Sequence, residues 1–427
     1  NEPRASHIAG RTAGWYNFTP QSLRSSCSLG AEIEMAEQIE ALVKPELLVW
    51  ARESAGFSRE DSARKSQVKP LRLKEWEEGA SRPSISQLRK LAHTYKRPLG
   101  VFFLDEAPAQ LALPVDFRSF HPDRAAPWSP ELRLLVRKIG LKRRAALELL
   151  QDLGETPIEF GETANLSEDP EKVGLHIRRL LGSADEVPPG DVRQQFNFWR
   201  SALERAGVLL FQAEKIDPSE MRGFSLVERP MPTAVVNIKD AFTARNFSLF
   251  HETAHILLRS GGLCDFDEET SSGSSKEIEV FCNHVAGAAL VPAAMLLRRS
   301  ETPKQRVPSV PEHALLSLGK FFGASPEAIY RRLVVLDKVP LHAYLKWRDE
   351  NRSKYARVEK RTEGFAPPPT MAVATNGTLF TRLVLDAYAE EQIGAGEVLE
   401  FLGVRTKHLP KIQQALRTGR EEAVEQP

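Results

Sequence analysis

His251, Glu252 and His255 follow one another in the pattern His-Glu-x-x-His, inside the stretch FSLFHETAHILL at residues 247–258. Residues four apart share a helical face. Two imidazoles one turn apart can therefore hold one metal ion, and Glu252 can reach a water on that ion as a general base. With ten histidines in 427 residues, chance gives fewer than about 0.03 such matches, which makes the motif informative. The competing account is an ordinary core helix, and Phe247, Leu249, Phe250, Ile256, Leu257 and Leu258 do supply an apolar face. Burying two histidines and a glutamate so close together is costly without a shared partner, and a metal ion is such a partner.

A catalytic zinc site takes three protein ligands and a water. The third ligand is expected from the next helical pattern, EIEVFCNHVAGAALV at 277–291. Glu279 and Glu277 are the carboxylate candidates. Glu279 shares a face with Asn283 beside the apolar set Ile278, Phe281, Cys282, Val285 and Ala289, whereas Glu277 points further around, so Glu279 is preferred. His284, Cys264 and Asp265 are the alternative ligands. Such a site hydrolyses peptide bonds: zinc acidifies water and stabilises the oxyanion, and Glu252 moves the proton to the leaving amine. Cys282 reads as a small buried apolar residue.

The elements that must position these groups are short. A helical pattern at 196–207 ends at Gly207 and is followed by the strand-like runs VLLFQ (208–212), GFSLV (223–227) and TAVVNI (233–238). TAVVNI is expected to pair with an extended substrate backbone as a sheet edge. The motif helix is expected from about Thr243 to Arg259, ended by Gly261 and Gly262. Residues 262–276 read as a polar loop. Upstream, helices are expected at 45–58, 58–68, 70–79 and 84–104, the last interrupted before Pro98. The prolines of 106–130 mark a linker; helices follow from Ser129 and Pro130 to about Leu153, and from Pro170 to Leu181. ARKSQVKPLRL (63–73), LGKFFGASPEAIYRRL (318–333) and LEFLGVRTKHLPKI (399–412) each read as helix, tight turn, helix. The second and third are expected to serve packing.

The whole chain excludes several classes. Net charge is +1 and no apolar run is long enough to span a bilayer. Three cysteines, Cys27, Cys264 and Cys282, are too few and too far apart for a disulfide framework, which fits a reducing cytoplasm. Residues 1–34 lack apolar periodicity and precede the first methionine, Met35. They read as a disordered or non-native extension rather than a targeting peptide. Charge is local instead. Residues 57–100 hold eleven Lys and Arg against five Asp and Glu, which leaves +6. That patch suits phosphate, and Lys69, Arg72 and Lys74 would open a recognition helix toward the major groove of double-stranded DNA. A solvated basic face, or a surface that holds a protein partner, would carry the same charges.

MRGFSL (221–226), VVNIKDAFTARNFSLFHETAHILL (235–258) and EVFCNHVAGAALVP (279–292) resemble the ImmA/IrrE family of zinc metallopeptidases. The stretch from WARESAGFS to YKRPLGVFFL resembles the helix-turn-helix of the xenobiotic-response-element class. The resemblance implies His251, His255 and Glu279 as zinc ligands, Glu252 as the catalytic glutamate, and cleavage of a regulatory protein such as a transcriptional repressor. It implies an α+β, mostly helical fold: a helix-turn-helix bundle (35–105), a linker and helical region (106–185), a zincin-like peptidase core with a small sheet (186–300), a helix-turn-helix-like extension (301–350) and a helical C-terminal region (351–427). Two positions depart from the pattern. Gln67 stands where the turn usually has glycine, and Lys69 where a small polar residue precedes the recognition helix. The alternative function is a DNA-binding regulator or antitoxin-like protein whose zinc is structural or sensory.

Overall fold

The computed structural model describes residues 39–108, 115–116, 128–260, 262–264, 274–359 and 367–424. The expected extension at 1–34, Cys27 and most of the linker lie outside them. Four helices open the chain: α1 (Pro45–Ser54), α2 (Arg59–Ser66), α3 (Pro70–Glu77) and α4 (Ile85–Tyr95). The expected helix at 84–104 stops at Tyr95 because Lys96 turns left-handed, and Leu99–Phe103 continues as a 3-10 turn. Leu48, Ala51, Ala63, Leu73, Trp76, Leu88 and Tyr95 form the core of this bundle. Glu77 is buried in it, held by Arg52 at 2.6 Å and Arg59 at 2.9 Å.

The turn between α2 and α3 keeps its geometry without glycine. Gln67 lies in the left-handed region, at φ 57°. Its amide bonds Arg64 O and that of Val68 bonds Ala63 O, closing the helix end. The same left-handed residue recurs as glycine in the two later helical hairpins, at Gly323 and Gly403.

After β1 (Val115–Asp116) come α5 (Pro130–Asp152), α6 (Pro170–Leu180) and α7 (Val192–Arg205), then β2 (Leu209–Ala213), β3 (Gly223–Leu226) and β4 (Thr233–Asn237). The motif helix is α8 (Phe242–Leu258), followed by β5 (Gly262–Cys264) and α9 (Ser274–Leu290). The rest is helical: α10 (Ala293–Arg298), α11 (Glu312–Phe322), α12 (Pro326–Val335), α13 (Leu341–Glu359), α14 (Pro368–Asn376), α15 (Thr378–Ala389), α16 (Ala395–Leu402) and α17 (Leu409–Val424).

The sheet has the order β1-β5-β3-β4-β2. β4 pairs parallel with β2 on one side and antiparallel with β3 on the other. TAVVNI is therefore a central strand, not the edge expected for substrate: both its ladders are already filled. The stretch 262–276 is not all loop either, since β5 opens it and α9 begins at Ser274.

Strand side chains alternate between faces, and each face meets its own helical layer. Leu210, Ala234 and Val236 join the core built by α6, α7, α8, α9, α11 and α12. Leu209, Phe211, Phe224 and Val235 join the core built by α5 and the C-terminal helices α14 to α17. The two layers are tied at Glu204 of α7, whose carboxylate accepts the Thr378 amide at 2.8 Å and so caps α15.

One cation lies inside the second layer. Lys142 of α5 is buried over the rings of Phe211 and Phe380 and donates to Asn376 Oδ1. Burial pulls its pKa from 10.5 down to about 7. Between those values the unfolded chain binds a proton that the folded chain does not, so stability rises with pH from about 7 to 10.5. We expect Lys142→Met to flatten that rise, worth a few kcal/mol in order of magnitude, in urea denaturation followed from pH 6 to about 10.

Candidate metal centre

The end of α8 sets up the first ligand. Arg259, not a glycine, ends the helix in the left-handed region at φ 54°; the expected stop at Gly262 falls in β5, and Gly261 lies outside the described residues. This turn brings Ser260 back over the last turn of the helix. The Ser260 amide bonds His255 O at 3.0 Å, and the Ser260 carbonyl lies 2.9 Å from His255 Nδ1. Only an Nδ1–H can donate there, so the lone pair of His255 is on Nε2.

That Nε2 faces two other groups. It lies 3.1 Å from His251 Nε2 and 3.2 Å from Glu279 Oε1. Glu279 Oε2 is 3.4 Å from His251 Nε2. One ligand atom from each of the three residues falls within 4.8 Å of the others, and all three side chains are buried. Burial is the largest influence on His251 and lowers its pKa, which favours the neutral ring a metal needs. Burial alone would raise Glu279, but the two imidazoles beside it hold its carboxyl at about 2. The donor set, two imidazoles and a carboxylate converging in a dry core, fits a zinc ion.

The alternative ligands are placed elsewhere or not described. Glu277 is exposed. His284 pairs with Glu171 at 2.8 Å, outside the cluster. The backbone of Cys264 is in β5, and Asp265 lies outside the described residues. Cys282 is fully buried, and burial followed by the charges of Glu279 and Glu252 pushes its thiol well up, as suits an unreactive core residue.

Glu252 is also fully buried, against the start of β3. A Cβ placed on Gly223 would stand 2.5 Å from Glu252 Oε1 and 3.0 Å from Val235 O. Only a residue without a side chain leaves this carboxylate its place. Sequence reasoning missed Gly223, as it missed the groups that fix α9. Gly174 lets α6 touch Ala288 and Ala289 of α9. Arg178 then donates to Ala289 O and Arg332 to Val291 O, both at 2.8 Å, satisfying carbonyls at the end of α9. Glu171 neutralises Arg332 and is held at about 2, because Arg332 and His284 outweigh its burial. Asn283, one turn on from Glu279, hydrogen-bonds His251.

The residues assigned to DNA lie on the exposed side of α3. Lys69 precedes the helix, and Arg72 and Lys74 point outward, as does Leu71. Arg72 also pairs with Glu75 at 3.1 Å and Lys74 with Glu78 at 3.7 Å. A phosphate would compete with these carboxylates for both cations.

Residues 203–334 match the model of the IrrE N-terminal-like domain, and residues 48–102 match the helix-turn-helix model. The chain joins an N-terminal helix-turn-helix domain to an ImmA/IrrE-type peptidase domain. The peptidase match spans α8, α9 and the hairpin of α11 and α12, so the His251, His255 and Glu279 cluster falls inside it. No curated protein matches the chain. That hairpin serves packing: its Gly323 turn abuts Gln195 and Asn246, and Asn246 donates to Gly323 O at 2.9 Å. For the peptidase domain we expect about one zinc per chain in the purified protein, and clearly less in Glu279→Ala, by elemental analysis.

Proposed function

We propose that this chain is a zinc-dependent endopeptidase that cleaves a regulatory protein, such as a transcriptional repressor, and that its N-terminal domain binds double-stranded DNA. The observation that carries the reading is the convergence of His251, His255 and Glu279 with Glu252 on the same helix. His251, His255 and Glu279 would hold zinc, which when bound polarises a peptide carbonyl and acidifies water. Glu252 takes a proton from the attacking water at its carboxylate and returns it to the leaving amine. Gly223 leaves that carboxylate room. The apolar core around α8 and α9 excludes bulk water and strengthens each of these interactions.

A second reading has an observation in its favour. All four side chains are buried, as in a structural or sensory metal site of a DNA-binding regulator. Such a site has no use for a general base at Glu252, so the peptidase reading is the better one. Glu252→Gln separates the two. It should keep zinc and lose cleavage by about 10²-fold or more, seen as new protein N-termini in cells that make the wild type and not in cells that make the variant. Unchanged biological activity in Glu252→Gln would favour the regulator.

The basic patch and the helix-turn-helix match support duplex DNA as a partner. Log affinity should fall linearly with log salt, and Arg72→Ala should reduce that slope by about one. Binding that ignores salt would instead assign the surface to a protein partner.

A further inference from the structure

The side chains of the site lie below the molecular surface. His251, Glu252, His255 and Glu279 are all buried. An extended substrate reaches such a site by pairing with a neighbouring strand. β3 is that strand, since its Gly223 lies against the Glu252 carboxylate. One edge of β3 is filled by β4. The other is filled by β5, antiparallel, with Cys264 opposite Gly223 and Leu263 opposite Phe224. β1 pairs in turn with the far side of β5, Val115 opposite Gly262 and Asp116 opposite Leu263.

We propose that Gly262–Cys264 is an internal strand occupying the place of an extended substrate backbone, and that it holds the peptidase latent until it is displaced. The inference rests on the peptidase reading. Its physical basis is competition: a strand already paired to β3 denies its backbone donors and acceptors to any other chain. The position of β5 in the chain adds a second link. Ser260, two residues before it, holds His255 through Nδ1, so displacement of β5 acts next to a residue that orients a metal ligand. β1 connects the latch to the helix-turn-helix domain, because it lies between that domain and α5.

The test uses the zinc-loaded full chain and two probes. Acetohydroxamate needs only the metal. A peptidyl hydroxamate with four extended residues on one side needs the metal and a strand to pair with. Cys264, opposite Gly223, is the residue of β5 whose amide faces β3, so Cys264→Pro removes that amide and should release β3. We expect its affinity for the peptidyl probe to rise at least about tenfold more than its affinity for acetohydroxamate. Cys264→Gly, a milder break, should move the same way by less, and zinc content reports that each variant has folded. Equal gains for the two probes, or no gain for either, would overturn the latch while leaving the peptidase reading in place. A wild-type chain that takes up no zinc would sink that reading, and the latch with it.

Discussion

Four polar side chains are buried together in an apolar core, and the rest of the peptidase domain is arranged around that fact. Two imidazoles and two carboxylates inside an apolar core are costly unless each finds a partner. His255 is committed through Nδ1 to Ser260, so its Nε2 faces inward. His251 and Glu279 then converge on the same point from two helices. The energetic demand is met only if α8 and α9 are held at one distance and one rotation, and most of the nearby structure does that.

The holding is done with backbone carbonyls rather than with contacts to the site. Arg178 and Arg332 reach the end of α9 from α6 and α12, and Glu171 neutralises the second of them. These are buried charges, whose desolvation is repaid only where the geometry is good and every donor is used. Arg178 meets that condition through Ala289 O, Ala184 O and the face of Trp199. On α8, Asn246 fixes the opposite end by bonding the turn of the α11–α12 hairpin. A hairpin shape suited to DNA is used here as a brace, because its left-handed glycine lets two buried amides approach its backbone.

The legible part of this site was the part written at short range. His251 and His255 are four residues apart on one helix, and Glu279 lies on the next one with a clear apolar face to set its direction. The three strands and the helix starts at Ser58 and Ser129 were likewise local signals. Gly223, Arg178 and Arg332 were not, since their partners lie far along the chain and no periodicity points to them. Gln67 shows a local rule overridden: the left-handed turn forms without glycine, and the packing of Ala63 and Leu73 in the bundle outweighs the modest backbone cost.

Strand order was misread although a signal existed. TAVVN is buried at every position, and a run apolar on both faces belongs to the middle of a layered sheet, not to its edge. Had that run been placed centrally, the antiparallel GFSL strand would have stood next to it under the motif helix, with its glycine facing Glu252. The edge of that strand is where a substrate backbone and the chain's own Gly262–Cys264 would compete. The same three residues that continue from the motif helix thus lie where access to it is decided. A strand leaving α8 through a tight left-handed turn has the side of β3 away from β4 within immediate reach.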